Sequence, residues 1–184
     1  TAWHNAWPAT MKTLTTAGHV TRLPKVDRRG RLQIQSWLVP QGIPADAVID
    51  VGPIPNHLVG QIIREADVAL FPNRGEGGTN LAAMECLACG LPTILSANTG
   101  HLDLIGDHCY ALQHQSPVRS PRPDYGVDGW GESDVDEIVE TLETVYRDRT
   151  TAQQKGAAAA AFMQDWTWER QIQRLIRQLD GLTE

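Results

Sequence analysis

The 184-residue chain reads as an α/β fold, a Rossmann-like parallel sheet flanked by helices. Three observations lead there. Short apolar, β-rich runs alternate with segments of helical periodicity. Glycines and prolines punctuate the joints between them. One strand-like run, Asp67-Val68-Ala69-Leu70-Phe71, opens into a glycine turn that leads directly into a helix.

The elements follow in order. Trp3, Trp7 and Met11 lie at helical spacing, so a helix is expected at about 5–17, before a strand at 19–23. A helix at 31–39 precedes a strand at 47–52, and Pro55-Asn56-His57-Leu58-Val59 opens a helix over 56–66. The strand at 67–71 leads to a helix at 79–89, which Thr79 caps and Gly90 and Pro92 end. Strands at 93–97 and 109–112 enclose a short helix at 101–106. Prolines and glycines crowd 116–131 too densely for helix or interior strand, which predicts a long surface loop. Ser133 then caps a helix with Asp134, Asp136 and Glu137 near its positive end and Val135, Ile138, Val139, Leu142 and Val145 on one face. An alanine-rich helix passes through 157–161, and a last one, 168–179, carries Ile172, Leu175, Ile176 and Leu179 on a stripe expected to pack back on the domain. A single domain over 1–184 is expected, with no internal repeat.

Composition narrows the function. A formal charge of −6 argues against nucleic acid as a partner. The basic cluster of Lys25, Arg28, Arg29 and Arg31 reads as a solvated loop rather than a phosphate or membrane contact. No apolar stretch approaches the ~20 residues of a membrane span and no signal pattern opens the chain, which points to a cytoplasmic protein. Cys86 and Cys89 sit one turn apart at the end of a helix, where they read as packing residues rather than as a redox pair or metal ligands. No metal site is expected.

The chemistry concentrates in Glu76-Gly77-Gly78-Thr79-Asn80-Leu81 and the helix that follows. Glycines allow close backbone approach, and free amides at a helix start attract phosphate. Glu85, placed on the buried side about six residues into the helix, lies roughly 9 Å along its axis at ~1.5 Å per residue. That distance suits a diphosphate on the amides of Gly77 to Leu81 with a ribose held by Glu85, while Glu76 faces a donor sugar. The same residues fit equally well a helix after a tight turn with a surface glutamate at each end. Ligands of open α/β sheets lie beyond the carboxyl ends of the strands, so the turns after Val51, Phe71 and Ser96 should converge. Gly52-Pro53-Ile54 could line a nucleobase or simply pack as a loop. Asn98-Thr99-Gly100-His101 would form a wall, with His101 and Asp103 read first as capping and packing residues.

Pro72-Asn73, Glu76, Gly77-Gly78, Glu85 and Cys86-Leu87-Ala88-Cys89-Gly90-Leu91-Pro92 resemble the C-terminal, donor-binding half of glycosyltransferase family 4, retaining enzymes of GT-B fold. Ala47-Val48-Ile49-Asp50-Val51-Gly52 and Trp166-Thr167-Trp168-Glu169-Arg170 extend the likeness over most of the chain. One departure stands out. Eight residues separate Glu76 from Glu85 where the family has seven, so Gly77 occupies the strict first-glutamate position.

The resemblance implies retaining glycosyl transfer from a UDP- or GDP-sugar to an unknown acceptor, with no other cofactor, and this chain supplying the donor-binding half. It implies no protein nucleophile in this half, only stabilisation of the departing diphosphate. The family's upstream strand, its basic loop and its acceptor-binding N-terminal domain have no counterpart here. The chain is therefore expected to be a truncated C-terminal half, inactive alone, whose parent has room for a peripheral membrane contact. A sugar-nucleotide epimerase of the same fold, using groups such as His101 and Asp103, and a non-catalytic nucleotide-sugar-binding or assembly module are the rival readings. A dehydrogenase and a P-loop enzyme are set aside for want of their glycine motifs.

Overall fold

The computed structural model describes residues 25, 27–28, 33–52, 54–119 and 126–181. The elements expected at 5–17 and 19–23, together with Arg29, Arg31 and Pro53, lie outside the described residues. The chain divides into two compact units, Thr1–Asn56 and His57–Glu184.

In the first unit, helix α1 (Ile34–Leu38) runs into a 3-10 turn, Val39–Gln41, and stops at Gly42, whose φ of +89° suits a residue without a Cβ. A second 3-10 turn, Ala45–Ala47, follows. The strand expected at 47–52 does not form, because this stretch meets no partner strand among the described residues. Instead Val48 accepts a hydrogen bond from the Gln35 side chain through its carbonyl oxygen (2.7 Å), and the amide of Gly52 donates to Asp50 Oδ1 (2.9 Å).

The second unit carries a parallel sheet of β1 (Ala69–Phe71), β2 (Thr93–Ser96) and β3 (Tyr110–Leu112), in that order. Helix α2 (Asn56–Ile63) precedes β1, and α3 (Leu81–Ala88) makes the crossover to β2. The crossover to β3 is a 3-10 helix, Thr99–Asp103, in place of the α-helix expected at 101–106. Leu95 of β2 packs with Ala83 and Leu87 of α3 and with Leu104, while its neighbour Ile94 packs with Leu112 and Val145. Successive side chains of a strand point to opposite faces, so both faces of the sheet are covered and all four residues of β2 are buried.

After β3 the chain departs from expectation. Gln115–Pro117 (β4) and Gly131–Ser133 (β5) pair antiparallel, so the predicted surface loop is closed at its base by a two-stranded ribbon. Ser133 belongs to that ribbon, where its hydroxyl accepts from Gln115 Nε2, and Asp134 caps α4 (Val135–Arg147) by accepting from the Glu137 amide at 3.0 Å. Helix α5 (Arg149–Met163) crosses α3 through glycine: a Cβ at position 156 would stand 2.1 Å from the Gly90 carbonyl oxygen. Helix α6 (Trp168–Asp180) is capped by Thr167 but buries none of its residues. Its apolar stripe does not pack back on the described residues as α4 and α5 do, and Trp168 is 84% exposed.

The cysteines behave as packing groups. Cys86 is buried among Ile63, Ala69 and Leu91, and burial, reinforced by the nearby Cys89 and Glu85, pushes its thiol up to about 11.

Gly156→Ala would ordinarily gain about 1 kcal/mol of helix propensity. Here the new methyl meets backbone oxygen, and overpacking of this kind costs typically 1–3 kcal/mol, so the balance is destabilising. Urea unfolding should show a lower midpoint for this variant. A midpoint at or above wild type would contradict the close α3–α5 contact.

Candidate functional site

Two loops meet beyond the carboxyl ends of β1 and β2. The first runs from Pro72 to Asn80 and the second from Ala97 into the 3-10 helix. Their backbones touch: a Cβ on Gly100 would lie 1.4 Å from the Gly78 carbonyl oxygen, and the Glu76 amide donates to Thr99 Oγ1 at 2.7 Å. Asn80 and Thr99 are the only non-glycine residues with positive φ among the described residues, at 59° and 42°. Asn adopts this region readily and β-branched Thr does not, so strain is concentrated where the two loops are joined.

Asn80, rather than Thr79, caps α3. Its Oδ1 accepts from the Ala83 amide at 3.2 Å, while the Thr79 hydroxyl turns to Met84 Sδ at 3.1 Å. The cap assignment orients the Asn80 amide, since an oxygen facing Ala83 leaves Nδ2 facing Glu76 Oε1 (3.2 Å) and His101 Nε2 (2.9 Å). His101 Nε2 must then accept, and the proton of the neutral ring sits on Nδ1, within 3.2 Å of the Ser96 carbonyl oxygen. Ser96 Oγ donates to the Asn73 carbonyl oxygen at 2.7 Å, and Asn73 Nδ2 donates to Glu76 Oε1. The result is a closed ring through Asn73, Glu76, Asn80, His101 and Ser96.

Burial sets the charges in this ring. It raises the Glu76 carboxyl above the ordinary value, opposed by the Asn73 hydrogen bond. It holds His101, which is fully buried, below the ordinary value, opposed by its bond to the Ser96 carbonyl. Both Asn amides converge on Glu76 Oε1, and Oε2 has no partner among the described residues.

The ribbon closes one side. The Gly131 amide donates to the Arg74 carbonyl oxygen at 2.8 Å, Arg74 pairs with Glu132, and buried Asn98 reaches Asn73 and Gln115 at 2.9 Å each. Trp130 lies over Gly75, where a Cβ would come within 2.7 Å of the indole.

The structure thus brings together Glu76, Gly77, Gly78, Thr79, Asn80, Leu81 and Glu85. Gly77 and Gly78 are exposed, and the amides of Gly77, Gly78, Thr79 and Asn80 donate to no acceptor among the described residues. Glu85 does not lie on the buried side. Ala83, Cys86 and Leu87 take that face of α3, and Glu85 shares the exposed face with Leu81 and Ala88. Because α3 starts at Leu81, Glu85 stands about 6 Å along the axis from the first helical residue, not 9 Å. Gly52, with φ +61°, and half-buried Ile54 belong to the other unit. Asn73 enters the sequence reading only through the Pro72-Asn73 resemblance and Ser96 only as a strand end, and neither is assigned a role there. Short polar residues at strand ends are common, and only the fold shows that they close a ring. No group of three or more potential metal ligands gathers among the described residues, and no helix there is long and apolar enough to cross a membrane.

A cleft of about 200 Å³ lies at the opposite edge, where the strands begin, among Arg64, Asp67, Leu91 and Arg149. Arg149 is already paired with Asp67 there at 2.7 Å. Ligands of open α/β sheets lie at the other edge, that of the two joined loops.

A parallel sheet with helices on both faces and a glycine turn beyond its carboxyl edge defines a Rossmann-like α/β domain. Residues 57–175 match the family described as Family 4 Glycosyltransferase in conflict systems, and the chain belongs to that family. Among solved structures it is similar to the sucrose-phosphate synthase of Thermosynechococcus elongatus, with a TM-score of 0.59 and 21% identity. That likeness covers 85% of this chain and 37% of the synthase chain. Curated proteins yield no match.

Because the folded His101 binds its proton less readily than an unfolded histidine, the unfolded state gains protons first on acidification. The stability held by neutral His101 is therefore full above the ordinary pKa of about 6.5 and is lost as pH falls below it toward the lowered value. The melting temperature should drop over this window in the wild type and drop less in His101→Gln. Parallel pH profiles would contradict the assigned ring.

Proposed function

We propose that this chain is the C-terminal, donor-binding half of a retaining glycosyltransferase that uses a nucleotide-diphosphate sugar, a UDP- or GDP-hexose. The observation that carries the proposal is the row of amides, Gly77 to Asn80, that have no acceptor among the described residues at the start of α3. Such amides and the positive end of the helix favour a diphosphate. As the glycosidic bond to the diphosphate breaks, negative charge grows on the leaving oxygens, and dipoles already in position stabilise it without reorganising. A single donor of this kind contributes on the order of 3 kcal/mol.

In this reading Glu76 Oε2, which has no partner among the described residues, accepts a hydrogen bond from a sugar hydroxyl, and Glu85 accepts from the ribose. The shorter distance along α3 requires Glu85 to reach the ribose with its side chain extended from the exposed face. The acceptor sugar or aglycone is assigned to a preceding N-terminal domain, and a cytoplasmic location accompanies the use of a nucleotide sugar. The epimerase alternative loses support, because His101 is buried and hydrogen-bonded at both ring nitrogens, leaving it unable to exchange protons with a substrate.

Calorimetric titration with UDP, GDP and ADP tests the reading, with heat expected for one of them and turnover absent in the isolated chain. Silence with all three would point to a structural module, and turnover by the chain alone would refute the assignment of the acceptor site elsewhere. Glu85→Ala should weaken the bound nucleotide by about 2 kcal/mol, the loss of hydrogen bonds to a charged acceptor, with an unchanged circular-dichroism spectrum. Unchanged affinity would remove Glu85 from the ribose.

A further inference from the structure

We propose that His101 is a positioning residue for the sugar end of the site: by accepting the Asn80 amide it fixes Asn80, and through it the Glu76 carboxylate, in the orientation that leaves Oε2 open. The inference rests on the reading of Glu76 as the carboxylate that meets the donor sugar.

The geometry argues it directly. Asn80 Nδ2 is shared between His101 Nε2 at 2.9 Å and Glu76 Oε1 at 3.2 Å. With Oδ1 committed to the Ala83 amide, the histidine is the closer of the two partners that fix the remaining end of the side chain. His101 is itself immobilised, fully buried with Nδ1 against the Ser96 carbonyl oxygen at 3.2 Å and Ser96 Oγ at 3.0 Å. The imidazole therefore couples the end of β2, a rigid and wholly buried strand, to a carboxylate on the exposed loop after β1. Glu76 Oε1 is held from one side by Asn73 Nδ2 and from the other by Asn80 Nδ2, so the second anchor is the one that His101 controls, and a hydrogen bond to a hydroxyl is worth most when its acceptor is already in place.

Two substitutions separate the two ends of the imidazole. His101→Gln can place an amide oxygen near the Nε2 position and keep the acceptor for Asn80. His101→Asn retains a polar group toward Ser96 but is too short to reach Asn80. In the full-length protein, calorimetry with UDP, GDP and ADP and with UDP-glucose, GDP-mannose and ADP-glucose measures the ratio of sugar-nucleotide to nucleotide affinity for the base that binds. We expect His101→Asn to lower this ratio about tenfold, the worth of one charge-assisted hydrogen bond, with nucleotide affinity unchanged, and His101→Gln to restore most of it. Asn80→Gly keeps the left-handed backbone and cuts the same link from the other side, so it should lower the ratio likewise, whether or not His101→Asn folds.

Equal losses of nucleotide affinity, ratio and melting temperature in both histidine variants would reduce His101 to a packing residue and overturn the inference. A ratio that drops in Glu76→Ala but holds in His101→Asn and Asn80→Gly would overturn the inference alone. A ratio unmoved by Glu76→Ala would overturn the reading of Glu76 and the inference with it.

Discussion

The organising constraint of this domain is the Asn80 side chain, which satisfies the helix start, the buried histidine and the loop carboxylate at once. Its oxygen accepts from the Ala83 amide, and its NH2 group donates to His101 Nε2 and Glu76 Oε1, so no backbone amide of the glycine loop is drawn to those two acceptors. The consequence is an unusual division of labour. Loop cohesion comes from side chains and from the Gly78–Gly100 backbone contact, and the amides of Gly77 to Asn80 are left without an acceptor among the described residues. A phosphate-binding loop needs that division, because an amide spent on holding the loop together is lost to the ligand. The left-handed backbone at Asn80 and Thr99 is the strain that the arrangement carries.

The sheet supplies the rigidity from which this loop is held. β2 is covered on one face by α3 and α5 and on the other by side chains of β3 and α4, and its last residue, Ser96, hands the buried environment on to His101. The ribbon of β4 and β5 adds a third support, through Asn98, Gln115 and the Gly131 amide, against the same loop. The loop after β1 is thus contacted from the 3-10 helix, from the sheet and from the ribbon.

Much of this was legible in the sequence, for identifiable reasons. Apolar runs such as Thr93-Ile94-Leu95-Ser96, bounded by Gly-Leu-Pro and Asn-Thr-Gly, mark a central parallel strand by burial alone, and the glycine-helix motif marks the site. Strands at 69–71, 93–96 and 110–112 and helices at 81–88, 135–147 and 168–180 appear within a few residues of their expected places. What failed depended on tertiary partners. Residues 47–52 have strand composition but no neighbouring strand among those described, and Gln115–Pro117 pairs with Gly131–Ser133 across a sequence gap that local pattern cannot bridge. Caps moved by one residue, from Thr79 to Asn80 and from Ser133 to Asp134, because both neighbours are good caps and only the backbone angles decide. The ring through Asn73, Ser96 and His101 was invisible for the same reason: its members are far apart in the chain and ordinary in type.

Amide chemical shifts offer the most direct test of the central claim, that the amides of Gly77 to Asn80 receive the diphosphate. On titration with the nucleotide that binds, the amide resonances of Gly77, Gly78, Thr79 and Asn80 should move first and furthest, with those around Arg64 and Arg149 unmoved. Shifts concentrated at the Arg64 and Arg149 cleft, or spread evenly over the domain with the glycine loop silent, would contradict the account.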